Sequence, residues 1–152
     1  MSPEDKQHYV GIEQIVSRVK EMTLADRKHA PFVIAANKWS LLAGQLGEWP
    51  NAYEKKLQVL QSMGRYAAEG GKFGELQWVF FASEGWIGKE TLVVLGLQVQ
   101  ERRKYLAVYE VVRNENDQPI DLSEILPLQE KDDSLETPFL DAFLEGFHAK
   151  IK

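Results

Sequence analysis

The cluster Ser83-Glu84-Gly85-Trp86 has the clearest chemical potential in this chain, because it follows the apolar run VFFA. A carboxylate at the end of an apolar strand, beside an indole ring, can lose enough hydration for its pKa to rise. It can then act as a general acid or base. Polar and flexible residues also end strands simply because they begin turns. Glu84 is therefore a candidate catalytic residue and Trp86 a candidate ligand contact, with a plain turn as the competing interpretation.

A compact basic group follows at Arg102-Arg103-Lys104. The guanidinium of arginine presents a planar fork of N–H donors, which suits a phosphate or a carboxylate. Glu101 lies beside the group and offsets part of its charge, and hairpin tips commonly collect solvated charges. Arg102 and Arg103 are thus either candidate ligand-binding residues or part of a solvated turn.

Other motifs that carry chemistry are missing from the sequence. The segment GGKFG at 70–74 lacks the spacing of a phosphate-binding loop and follows a predicted helix, so we interpret it as a helix end. The chain has no cysteine, and its three histidines, His8, His29 and His148, are far apart in sequence. Metal sites need several converging ligands. The sequence therefore predicts no metal site and no cofactor.

The residues FFASEGWI, the aliphatic strand after them and the basic turn QERRKY carry a resemblance. They resemble uncharacterised prokaryotic α+β proteins in which a hydrophobic strand ends in Ser-Glu-Ala-Trp before a basic turn. The resemblance covers about the middle third of the chain, and Gly85 stands where those proteins have Ala. It supports the register of the strands and implies no function.

Composition and length place the chain among folded proteins. With 152 residues, 44% apolar and 27% charged, it fits a single domain spanning 1–152. The N-terminus lacks the pattern of a secretory signal, and the apolar runs are shorter than the ~20 residues of a membrane-spanning helix. We therefore expect a soluble cytoplasmic protein that does not bind membranes.

Charge is distributed unevenly along the chain. Residues 114–145 hold ten acidic residues and one basic residue, although the net charge of the whole chain is only −5. An acidic segment of this kind repels a phosphate backbone, so nucleic acid is not an expected partner. Because residues 114–136 also lack a sustained period, we predict an acidic, mostly irregular connection to a C-terminal helix.

Three amphipathic helices are predicted from residues that recur at helical spacing. The first shows its helical period over GIEQIVSRVKEM, and we expect this helix to start earlier, near Ser2-Pro3-Glu4. The second covers residues 52–69 and ends at Gly70-Gly71. The third begins at Thr137-Pro138. Its broad apolar face carries three candidate interface residues, Phe139, Phe143 and Phe147.

Consecutive strands are predicted over LQWVFFASEGWIG, TLVVLGLQVQ and KYLAVYEVVR, because aromatic and branched residues alternate with turn signals. Residues 32–46 remain open between two interpretations. They form either a hairpin that turns at Asn37-Lys38, or one strand followed by a helix over 38–46.

Together these elements predict an α+β fold in the order α-β-β-α-β-β-β-α. We expect a mixed or mainly antiparallel sheet of about five strands, with helices mainly on one face. On the last strand Tyr105 and Tyr109 share one side, and both are candidate interface residues. A partly apolar second face suits self-association, so a homodimer is the expected partner and another protein the alternative.

Two classes of function follow. The missing catalytic motifs favour a soluble, non-enzymatic accessory or interaction module that self-associates. The alternative is a small enzyme or ligand-binding protein with a cleft near Glu84, Trp86 and Arg102 or Arg103. That alternative requires those side chains to converge in the folded chain.

Overall fold

A computed structural model describes residues 11–25, 31–46, 49–69 and 73–149 of the chain. The described residues form three helices and six strands. In chain order these are α1 (Ile12–Ala25), β1 (Phe32–Ala36), β2 (Leu41–Gln45), α2 (Tyr53–Ala68), β3 (Trp78–Trp86), β4 (Glu90–Gln98), β5 (Arg103–Arg113), β6 (Pro119–Lys131) and α3 (Pro138–His148). The expected start of the first helix at Ser2, the Gly70-Gly71 helix end, His8 and His29 lie outside the described residues.

The six strands form one antiparallel sheet in the order β2-β1-β3-β4-β5-β6. The prediction of an α+β fold with an antiparallel sheet is confirmed, and so is the central triplet of strands. Residues 32–46 form the hairpin rather than a strand followed by a helix. Asn37 stabilises its turn, because the side-chain oxygen accepts hydrogen bonds from Trp39 N at 2.7 Å and Ser40 N at 2.6 Å.

The sixth strand, β6, occupies most of the segment for which the sequence predicts an irregular connection. It pairs with β5 along nearly its whole length, and irregularities in register break its alternation of apolar and polar residues. Pro127 and the acidic residues also lower its intrinsic strand propensity. The extended conformation of β6 depends on its pairing with β5, and the local sequence does not reveal that pairing.

The sequence predicts helices mainly on one face of the sheet; of the three described helices, α2 and α3 lie on one face and α1 lies on the other. Ile15 and Val19 of α1 pack in one core cluster with Phe80 of β3. On the opposite face, Leu60 of α2 and Phe143 of α3 pack in a second cluster. Every residue of β1 is buried, because this strand has a core cluster on each side.

The aromatic residues singled out as interface candidates pack within the chain itself. Phe143 is buried, and Phe139 stacks near Phe81 with ring centroids 5.1 Å apart. Phe147 lies against Phe73, with ring centroids 6.0 Å apart. These three phenylalanines therefore hold α3 on the sheet and on the adjoining segments.

The two tyrosines of β5 point toward the α1 face of the sheet. Tyr109 is buried in the core cluster of that face, and the ring centroid of Tyr105 lies 5.7 Å from that of Trp78. Burial raises the pKa of Tyr109 above its ordinary value of 10.0, and the nearby carboxylate of Glu124 adds to the rise. Tyr109 is therefore a neutral core residue at physiological pH.

Candidate functional site

The structure places Glu84 and the two arginines near opposite ends of β4. Glu84 pairs with Leu92 at the start of β4, and Arg103 pairs with Gln98 at its end. Six residues of strand separate these positions, which corresponds to about 20 Å. The side chains expected to form a common cleft are thus not brought together within this chain.

Each of these residues has a local role that its surroundings explain. Arg102 holds a left-handed backbone conformation, with φ of 56°, in the turn between β4 and β5. Arg103 forms an ion pair with Glu101 at 2.7 Å. Glu84 is exposed, and Trp86 is 73% exposed at the opposite hairpin tip.

The least exposed ion pair among the described residues joins Glu90 to Arg113, close to Glu84. Arg113 Nε donates to one carboxylate oxygen at 2.7 Å and a terminal nitrogen donates to the other at 2.9 Å. These hydrogen bonds raise the pKa of Arg113, so the guanidinium stays charged. The pair joins the start of β4 to the end of β5. Because both carboxylate oxygens of Glu90 already accept hydrogen bonds from Arg113, we interpret the pair as structural.

A large apolar groove lies elsewhere, between α2 and the β1–β2 hairpin. The helix on one side of it, α2, also packs closely against α3. A Cβ atom at Gly64 would be 2.0 Å from the backbone oxygen of Phe143, and one at Gly146 would be 1.8 Å from that of Gln61. Only glycine permits such contact. Helix α2 is thereby held against α3. Over the edge strand β2 it reaches Gly44 through the Met63 side chain, while Leu42 stays exposed.

The groove has a volume of about 890 Å³. Its floor comes from the sheet, where Val33 pairs with Gly44 and Ala35 with Leu42. One side of α2 forms a wall, at positions three or four residues apart. The wall residues are Lys55, Gln58, Val59, Ser62, Met63 and Tyr66, and Ala43, Trp49, Pro50, Ala67 and Phe143 complete the lining.

The chemistry of this lining suits an apolar ligand. Lys55 is the charged residue among the described residues that line the groove, and it stands on the rim beside Gln58. Leu42 is 42% exposed and Tyr66 75% exposed, although both are large and apolar. Binding sites for small molecules are typically apolar cavities of about 300–1,000 Å³ with a few placed polar groups.

Sequence reasoning missed this groove. The signal that was present lies in α2, where Val59 and Met63 fall beside the buried stripe that contains Leu60 and Gly64. Two apolar stripes on one helix indicate two packing partners. The sequence does not show that the second stripe, at Val59 and Met63, lines an open groove.

Among the described residues there is no group of three or more His, Asp and Glu side chains arranged to hold a metal ion, and no helix long and apolar enough to cross a membrane. No family model, curated protein or solved structure matches the chain. The groove between α2 and β2 is therefore the feature from which a function can be argued.

Proposed function

We propose that this protein is a non-enzymatic binding module that holds an elongated apolar ligand with an anionic end group in the groove between α2 and β2. The observation that carries the proposal is the groove itself, with its volume of about 890 Å³ and its mainly apolar lining. Exposed apolar surface of this kind costs free energy unless it is covered, at roughly 25 cal/mol per Å². A ligand that covers it recovers that free energy.

The end group is inferred from Lys55. This side chain is exposed and lines the groove one turn of helix from the polar side chain of Gln58, with Ser62 a further turn along. Lys56 lies nearby with its Nζ 5.4 Å from the centre of the Trp49 ring, so a second positive charge is close. A ligand whose carboxylate lies at Lys55 and whose hydrocarbon chain lies over Val33 and Ala35 would match both the positive charge and the apolar floor of the groove.

The absence of acidic and histidine side chains from the described groove lining supports a non-catalytic role. Among the described lining residues, none is His, Asp or Glu. General acid–base chemistry needs a positioned proton donor or acceptor whose pKa lies near the working pH. Glu84, the acid or base considered from sequence, lies on the far side of β3 from this groove, since it shares the face of Ala82 rather than that of Phe81.

Titration with a long-chain carboxylate that carries an environment-sensitive fluorophore tests the proposal, together with the alcohol of the same chain length. We expect saturable binding of both probes, with the carboxylate tighter. Ser62→Trp should reduce the affinity for both about tenfold or more, because the indole occupies the groove. Arg65→Trp, on the same helix but outside the lining, is the matched control.

Charge reversal at Lys55 separates the contribution of the ligand's anionic end group to affinity from the contribution of its apolar part. Lys55→Glu should weaken carboxylate binding by up to about fivefold, as expected for one exposed ion pair, and leave alcohol binding unchanged. Arg65→Glu should affect neither probe. Absence of saturable binding to either probe, or equal binding by wild type and Ser62→Trp, would overturn the proposal.

A further inference from the structure

The two edge strands of the sheet are protected very differently against pairing with another chain. β6 carries Pro127, three glutamate or aspartate residues and breaks in register, all of which discourage edge pairing. β2 has the sequence LLAGQ, with no charge, no proline and a regular register with β1. No described element pairs with its outer side. Such an edge is a ready template for another strand.

The direction of the hydrogen bonds along β2 follows from its pairing with β1. Leu46 N donates to Pro31 O at 2.8 Å just beyond the strand. Because bonds alternate along an antiparallel pair, the even-numbered residues of β2 face β1, and the odd-numbered residues direct their N–H and C=O groups outward. The outward-facing residues are Leu41, Ala43 and Gln45.

We infer that β2 pairs with β2 of a second copy of this chain, antiparallel, about a two-fold axis at Ala43. This register alone places Ala43 opposite itself and Leu41 opposite Gln45. Every outward N–H and C=O group of the strand is then matched. The result is one continuous sheet of twelve strands, twice the six found in the chain.

Side chains on the groove face are complementary in the same register. Leu42 of one copy lies opposite Gly44 of the other, in a pair whose Cα atoms are about 4.5 Å apart. Leu42 is 42% exposed in the single chain, whereas Gly44 has no side chain and lies under Met63 of its own chain, whose Cε is 3.0 Å from where a Cβ atom at Gly44 would be. Each exposed Leu42 thus meets a glycine and the apolar end of Met63 across the axis, and the contact occurs twice. That self-complementarity favours a second copy over an unrelated strand.

The surrounding layers leave room for the second copy. α2 contacts α3 closely at Gly64 and reaches β2 through Met63, which lies over Gly44, while Leu42 of β2 stays exposed. A two-fold axis perpendicular to the sheet keeps both α2 helices on the same face, one on each side of the new strand pair. The two grooves then adjoin.

Sedimentation equilibrium of the full chain from micromolar concentrations upward is the first test. We expect a concentration-dependent species of twice the 17.4 kDa chain mass. Ala43→Pro removes an outward N–H that the single chain does not use, and edge strands tolerate proline there. It should raise the dissociation constant about tenfold or more. Ile120→Pro on the opposite edge strand, β6, is the control and should leave the dissociation constant unchanged.

Cross-linking tests the register, and the absence of native cysteine keeps the background clean. An oxidised mixture of Leu42→Cys and Gly44→Cys proteins should form a disulfide-linked dimer, since opposed Cα atoms about 4.5 Å apart lie within disulfide range. Either variant alone should cross-link far less, because its own cysteines lie about 8 Å apart. A monomer at all concentrations, a dimer insensitive to Ala43→Pro, or equal cross-linking of single variants and mixture would overturn the inference.

Discussion

The backbone of Gly64 in α2 lies directly against the backbone oxygen of Phe143 in α3, so closely that a Cβ atom at Gly64 would be 2.0 Å from that oxygen. This contact sets the position of α2 over the sheet. It holds the helix against α3, beside the groove that α2 forms with β1 and β2.

Gly64→Ala should therefore destabilise the fold. In an exposed helix the same change stabilises by about 0.5–1 kcal/mol, but here the methyl group forces the helices apart at a cost of about 1–3 kcal/mol or more. Urea unfolding followed by circular dichroism measures the difference. Ser62→Ala, exposed on the same helix, should change the free energy of unfolding little. Equal stability of Gly64→Ala and wild type would show that the helices are less tightly packed than described.

Glu90→Gln should weaken the junction of β4 and β5. Arg113, whose side chain is only 19% exposed, would lose a charged partner that accepts two of its hydrogen bonds. We expect a loss of about 1–3 kcal/mol in the free energy of unfolding. Glu21→Gln removes the ion pair with Arg18, which is largely exposed, and should cost less than about 1 kcal/mol. Similar losses in the two variants would contradict the structural role of the Glu90–Arg113 pair.

Because Tyr109 is buried, we expect the free energy of unfolding to depend on pH in the alkaline range. The pKa of Tyr109 is raised in the folded chain by burial, above the ordinary value of 10.0, and Glu124 adds to the rise. The unfolded chain therefore loses this proton first, and the contribution of Tyr109 to stability, complete below pH 10, falls as pH rises through the folded pKa. Tyr109→Phe removes this dependence.

The measurement compares the free energy of unfolding of wild type and Tyr109→Phe from pH 8 to pH 11. The difference between them should be constant below about pH 10 and shift in favour of Tyr109→Phe above it. Tyr53→Phe serves as the control, because Tyr53 is 54% exposed. A difference that does not change with pH would contradict the burial of the Tyr109 hydroxyl.

Asn37 should matter for the placement of β2. Its side-chain oxygen accepts hydrogen bonds from Trp39 N and Ser40 N, and its amide nitrogen donates to Phe73 O in a distant segment. Asn37→Ala should cost about 1–3 kcal/mol, since these backbone groups lose their partner. Asn37→Asp keeps both acceptor contacts and loses the donor to Phe73, so thermal unfolding should place it between wild type and Asn37→Ala. A ranking in which Asp is the worse substitution would assign the main role to the Phe73 contact.

Local patterns predicted a large part of the fold. Apolar residues at helical spacing indicated all three helices, and the alternation in KYLAVYEVVR placed Tyr105 and Tyr109 on one side of β5, as the register confirms. Turn residues marked the hairpins of the central strands. These features are readable because each depends on residues within about ten positions of one another.

The candidate site was not readable in the same way. Glu84 and Arg103 are close in sequence, but the antiparallel course of β3, β4 and β5 carries them to opposite ends of a strand. Leu42 and Met63, in contrast, are distant in sequence and line one groove. Sequence proximity therefore pointed to the wrong neighbours, because strand pairing decides which side chains meet.

By itself the sequence determined the kind of element at most positions, since hydrophobic period and turn chemistry are local properties. Tertiary structure alone decided that residues 119–131 form a strand, that helices cover both faces, and that β2 remains an open edge beside a groove. The physical reason is that each of these depends on contacts between distant segments. The contact of Gly64 with Phe143, for example, joins residues that are 79 positions apart in the chain.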